Sequence, residues 1–291
     1  PIFLAGSFLT GIYMSAHGFY RFAAAEAASH EFKSRAISFV MAGGVVAAIF
    51  GPELAKATRE LMAPIMFAGS FLGIACLCVI AIILLQFIRI PGLSEEEKAD
   101  TGRPLREIIK QPVFIVAVLS AMIGYGMMSL VMTATPLAME VCGFAFADSA
   151  FVIQWHELGM FAPSFFTGSL IKRFGITNIL LAGVVFAYLA VITNLQGTTV
   201  WHFWVGLVFL GLSWNFLFIG GTSLLTDAYQ PHEKAKAQAT NDFVVFSTVA
   251  SASLFAGYLQ HHFGWQIVNV GVLPAITLML VAILWLRRKT E

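Results

Sequence analysis

Charge is what this sequence has least of. Of its 291 residues, 17 are Lys or Arg and 16 are Asp or Glu, 11% in all, where a soluble globular chain carries roughly a quarter. Cysteine is scarce as well, at three. Cys76 and Cys78 stand two apart in an apolar run, so on a helix they face nearly opposite sides and cannot share a metal. Cys142 is alone, and no disulfide framework follows. No His or Cys cluster has metal-ligand spacing, no Gly-rich phosphate loop of the Walker type occurs, and no G-x-S-x-G turn presents a nucleophile. The basic residues are scattered, which is no nucleic-acid footprint. These absences argue against an ATP-driven machine, a metalloprotein, a hydrolase and a nucleic-acid binder. No cofactor and no catalytic residue is expected.

What the chain has in quantity is apolar length. It is 58% hydrophobic, with 27 Phe and 11 Met, and its mean hydropathy is +0.82. A membrane-crossing helix needs about 20 mostly apolar residues. Stretches free of Asp, Glu, Lys and Arg suit one span each at residues 1–20, 36–52, 61–88 and 111–139. A further span runs from about Phe151 to Ile171, interrupted by Glu157. Residues 174–226 and 243–286 are long enough for two spans each, dividing at Gln196-Gly197-Thr198-Thr199 and near His261-His262-Phe263-Gly264-Trp265. The expectation is nine transmembrane helices, since these runs lack the alternation of barrel strands.

One polar segment interrupts this pattern. Arg89–Gln111 holds ten of the 33 charged residues, with Pro91, Gly92, Gly102 and Pro104, and must lie in water. It divides residues 1–88 from residues 112–291. With this loop on the cytoplasmic side, 15 of the 17 basic residues fall there and only Lys56 and Arg59 opposite, as the positive-inside rule requires. The C-terminus is then cytoplasmic.

The chain also repeats itself. EAASHEFKSRA (Glu26–Ala36) and DAYQPHEKAKA (Asp227–Ala237) both place an acid seven residues before a Lys, Glu26 to Lys33 and Asp227 to Lys234, with a His-Glu pair between. Six spans separate the copies, so they sit in the same orientation, the pattern of parallel-repeat transporters. Three spans lie between the polar loop and the second copy but only one precedes the first. The expectation is a fragment, spans four to twelve of a twelve-span parent.

With this layout, the chain resembles the major facilitator superfamily over its whole length, the first three helices lacking. Gly168-Ser-Leu-Ile-Lys172-Arg173-Phe-Gly175 resembles the family's Gly-rich cytoplasmic turn, with Arg173 its matching charge, and Gly51-Pro52 resembles part of the motif associated with exporters. The resemblance implies an all-α membrane bundle of two halves, the first truncated, that rock about a central cavity lined by the first, fourth, seventh and tenth helices.

On the fourth helix, Gly6, Thr10, Tyr13, His17 and Tyr20 form a polar stripe that would face the cavity or a neighbouring helix. On the seventh, Tyr125, Met128, Met132 and Thr135 share a face suited to a moderately apolar organic solute, though equally to packing. On the tenth, Trp214 and Asn215 stand mid-span, the Trp as a stacking platform or a packing residue. In the eighth, Glu157 lies inside the membrane beside His156, which makes the two candidates for proton coupling or, as the alternative, structural hydrogen bonding. By the resemblance, Asp227, Lys234 and Arg173 form a cytoplasmic gate, with Glu26 and Lys33 as the first-half counterparts. Glu26 is expected to lack its usual partner, a basic turn between the second and third spans.

The function expected is secondary transport of a small organic solute, proton-coupled, by a monomer in a bacterial inner membrane. Solute, protons and the lipid bilayer are the partners, without nucleic acid. A non-transporting membrane sensor or subunit of the same fold is the alternative.

Overall fold

The computed structural model describes residues 6, 8, 9, 11, 18–87 and 102–290. Thr10, Tyr13, His17 and residues 88–101 lie outside the described residues. Every regular element described is helical, the longer ones being α1 (Tyr20–Ala27), α2 (Lys33–Thr58), α3 (Ala68–Leu85), the short α4 (Leu105–Ile108), α5 (Pro112–Val141), α6 (Phe146–Phe161), α7 (Ser164–Phe174), α8 (Ile176–Gln196), α9 (Val200–Leu225), α10 (Lys234–Gly271) and α11 (Leu273–Thr290).

Among the described residues, six helical stretches are long and apolar enough to cross a membrane. The nine expected differ from these in three places. Residues 1–20 lie largely outside the described residues. The span expected at 151–171 is two short helices, because Pro163 has no N–H to continue the ladder and α6 ends at Phe161. The run 243–286 belongs to one helical stretch from Pro231 to Lys289. That stretch still breaks where the sequence divides it, at Gly264, whose φ of 76° most side chains avoid. The span of α6 also starts earlier than its charge-free run, since Asp148 is a helix-start residue rather than a loop charge. Its carboxylate accepts the backbone N–H of Ala145 at 3.2 Å, favourable at a helix N-terminus.

The core lies in the helices after the polar loop, and α9 is its axis, buried along most of its length between α5, α6 and α8. Glycine makes that possible. A Cβ on Gly211 would stand 2.6 Å from His156 O, and one on Gly221 2.9 Å from Ala117 O, so α9 approaches its neighbours backbone to backbone. The outer surface is apolar. On α3, Phe71, Leu72, Ile74 and Ile80 are all exposed, as a lipid-facing helix requires. Of the helices before the loop, α2 makes the main contact with those after it, packing on α6, α7 and α9.

Candidate solute cavity

Where α1 and α2 meet α5, α6, α9 and α10, a cavity of about 210 Å³ opens. Gly18, Arg21, Val40, Met41, Gly44 and Ala47 wall it on one side, and Tyr125, Phe161, Trp214, Phe218 and Phe246 on the other. The aromatic wall is ordered edge to face. Tyr125 stands edge-on to Trp214 at 5.4 Å, to Phe218 at 5.1 Å and to Phe246 at 5.9 Å. Trp214 stacks on Phe218 at 5.0 Å, and Phe161 meets Trp214 at 5.5 Å. Such pairs favour fixed ring geometry over mere apolar filling.

The polar element of the cavity is Arg21, 4% exposed. Its Nη1 donates to Gly18 O at 2.7 Å and its Nη2 to Asp242 Oδ1 on α10. The guanidinium lies over the rings of Phe22 at 4.5 Å and Phe218 at 4.8 Å. Asn241 Nδ2 also donates to Asp242 Oδ1, at 2.9 Å. A buried charge survives only when paired and hydrogen-bonded, and here the pair bridges helices on either side of the polar loop. The sequence reading treats Arg21 as one more cytoplasmic charge and Asp242 as a span boundary. The structure buries both. Each stands alone at the end of a charge-free run, and a single charge at such an end is the signal that could have found them.

The expected cavity residues divide. Tyr125 and Trp214 are in the wall. Met128 is 3% exposed in the core and Met132 packs on that core. Asn215 is fully buried away from the cavity: its Nδ2 donates to Met160 O at 2.5 Å and Ser164 Oγ at 2.7 Å, and its Oδ1 accepts from Thr167 at 2.6 Å. It fastens α9 to the joint between α6 and α7, so the structure gives it the helix-fastening role. Thr135 donates within its own helix to Val131 O. Thr10, Tyr13 and His17 lie outside the described residues. His156 is completely buried, with Nδ1 2.7 Å from Leu207 O, so it too ties α6 to α9. Glu157 faces elsewhere, onto a second cavity of about 620 Å³ that includes Pro136, Glu140, Ser149 and Gln154.

The end carrying the repeated motifs is closed by ion pairs across the molecule. Lys234 Nζ reaches Glu26 Oε2 at 2.6 Å, and Gln238 donates to Glu26 Oε1 at 3.2 Å and to Tyr229 Oη at 2.7 Å. Burial pushes the Tyr229 phenol up to about 12, so it remains protonated. Lys172 meets Glu31 at 3.2 Å. Arg103 donates to Glu233 from its backbone N, Nε and Nη2, at 2.8, 2.8 and 2.5 Å, and that carboxylate holds the guanidinium above its usual range. The expected cluster of Asp227, Lys234 and Arg173 is therefore drawn differently. Lys234 is taken by Glu26, Arg173 lies over the Phe174 ring at 5.1 Å, Asp227 is exposed, and Lys33 opens α2. Glu26 finds its base on the second copy of the motif.

The sequence profile of the Major Facilitator Superfamily matches residues 1–195 and again 156–291. The chain belongs to that superfamily. It is an integral membrane protein of a family of transporters, not enzymes. It is 48% identical over 285 residues to the riboflavin transporter RfnT of Brucella anthropi, covering 97% of this chain and 72% of that protein. It is 27% identical to the uncharacterized MFS-type transporter YddS of Bacillus subtilis (strain 168), covering 93% of this chain and 66% of the relative. The fold matches a bacterial homologue of the iron transporter ferroportin, solved in an outward-facing state, with a TM-score of 0.65 at 16% identity, over 91% of this chain and 66% of that one.

Proposed function

We propose that the protein moves a small aromatic solute, riboflavin or a close flavin, across the bacterial inner membrane by alternating access. The observation that carries this reading is the aromatic cavity, walled from both sides of the polar loop, with Arg21 in its wall paired to Asp242. A site made by two sets of helices changes when they rock, as alternating access needs. The 48% identity to a riboflavin transporter supports a flavin as the solute.

In this reading the chain carries spans four to twelve of twelve, in halves 1–88 and 112–291 joined by the cytoplasmic loop 89–111, as a monomer with its C-terminus in the cytoplasm. The motif end is tightly packed: a Cβ on Gly168 would stand 2.6 Å from Ser34 O.

Uptake of labelled riboflavin by a riboflavin-requiring bacterium that expresses the full-length gene tests the function. Saturable uptake that cold riboflavin competes is expected; uptake no greater than the empty vector sinks it, and binding without flux returns the protein to the sensor class. Proton coupling is assigned to Glu157, a carboxyl on α6 that borders the second cavity together with Glu140. Glu157→Gln should leave solute exchange intact while abolishing the dependence of uptake on an imposed pH gradient. A variant that keeps that dependence removes Glu157 from the role.

A further inference from the structure

The second cavity, of about 620 Å³, is a trough laid along α6. Phe146, Ser149, Ile153 and Glu157 line it at spacings of three or four residues, which puts them on one face of the helix. From Phe146 to Glu157 that face runs about 16 Å along the axis. Glu140 joins it from the last turn of α5, at the end where α6 begins. One carboxylate therefore stands at the mouth, in a wall that also holds Phe144 and Phe146, and the other lies at the far end beside Gln154. No Lys, Arg or His is among the described residues that line the trough.

The polar side chains of this trough are left unsatisfied. Glu140, Ser149, Gln154 and Glu157 make no side-chain hydrogen bond or ion pair among the described residues. Ser149 is only 8% exposed, yet its hydroxyl opens on the cavity instead of being sealed in the core. Buried polar groups of native proteins are nearly always paired, and the middle of the trough, with Pro136, Leu137, Ala150 and Ile153, has no side-chain partner to offer. An apolar trough with a carboxylate towards each end is complementary to an apolar chain with a cation at each end. We propose that this cavity binds linear diammonium ions, two ammonium groups joined by a hydrocarbon chain. One ammonium sits at Glu157 and Gln154; the other sits at the mouth, among Glu140, Ser149 and the rings of Phe144 and Phe146. An ammonium carries three donors and no acceptor, which suits a set of carboxylate, amide and hydroxyl oxygens. The axial distance from Ser149 to Glu157, about 12 Å, calls for a chain of about eight carbons. A proton and an ammonium are alternative occupants of Glu157, so the site is compatible with the coupling role given to it above. It depends on neither the aromatic cavity nor the solute proposed there.

The test is equilibrium dialysis with the full-length protein in phosphatidylcholine nanodiscs, with empty nanodiscs as the blank. The probes are 1,8-diaminooctane, octylamine and the neutral 1,8-octanediol. The diamine is expected to bind, the monoamine about fivefold more weakly for want of the partner to an exposed carboxylate, and the diol not measurably. Glu140→Gln should bring the diamine down to the monoamine and leave the monoamine where it was. Glu157→Gln should weaken both amines at least about tenfold, the loss of a charge-assisted hydrogen bond. Neither carboxylate has a described partner to lose, so both variants should keep the parent's melting temperature. Equal binding of diamine and diol, a diamine no tighter than the monoamine, or parent affinity in Glu157→Gln would overturn the inference. So would a Glu157→Gln protein that melts well below the parent, because a base of the full-length chain would then already pair with that carboxylate. These outcomes leave the flavin reading untouched, since that one stands or falls on uptake.

Discussion

Asn215 and Trp214 are neighbours in sequence and opposites in role. Two residues that follow one another on a helix point about 100° apart, so only one can meet the cavity, and the indole does. The amide turns to the α6–α7 joint, where Pro163 interrupts the helix, and makes three hydrogen bonds there. Interhelical hydrogen bonds in membranes contribute roughly 0.6 kcal/mol each, up to about 1.7. Asn215→Leu should therefore lower stability by about 2–4 kcal/mol, counting the partners left unpaired, while the KM for solute changes less than twofold. Thermal unfolding in detergent and an uptake titration check the two halves of that statement. Sequence could mark the amide as costly in hydrocarbon and the indole as a stacking platform or packing residue. It could not say which was turned inward, because a helix buried on nearly every side has no polar face to give its rotation away.

At the scale of elements, the decisive contact is α2 against α7. Gly168 lets the two backbones meet beside Ser34 and Arg35, and there a side chain has no flexible neighbour to displace. Gly168→Val should hold the motif end apart. A cysteine placed in the cavity wall at Val40 of this variant would then react with a membrane-impermeant maleimide added from the cytoplasmic side, and transport would fall more than tenfold; protection equal to the parent's rules the wedge out. Element positions were largely legible from charge-free runs, since the hydrophobic thickness of a bilayer fixes helix length. The helix starts were not. Asp148 and Pro163 obey helix-end and helix-break chemistry that a search for charge-free windows passes over.

Across the whole molecule, the two copies of the repeat grip each other. Glu26 of the first holds Lys234 of the second, each about one quarter exposed, whereas the family resemblance groups Lys234 with Asp227 and Arg173. The periodicity of the copies revealed that they were counterparts; it carried no information on which charge would cross between them, because that depends on how far the helices before the loop lean over those after it. A pair about one quarter exposed contributes on the order of 1 kcal/mol, enough to shift a two-state population about fivefold. Glu26→Gln should raise cytoplasmic-side labelling of a cavity cysteine by that factor. The charge-swapped double variant Glu26→Lys with Lys234→Glu should restore the parent's labelling; no recovery would mean the two side chains do not act as a pair.

The balance between Arg21 and Asp242 has an electrical consequence. A neutral solute that passes a neutral ion pair carries no charge through the bilayer, so the membrane voltage does no work on it. Each proton that travels with it gains about 2.3 kcal/mol per 100 mV. Under the proposed coupling, current evoked by the solute, divided by the solute flux, counts the protons moved in each cycle, and the voltage at which both vanish gives the steepest gradient such coupling can build.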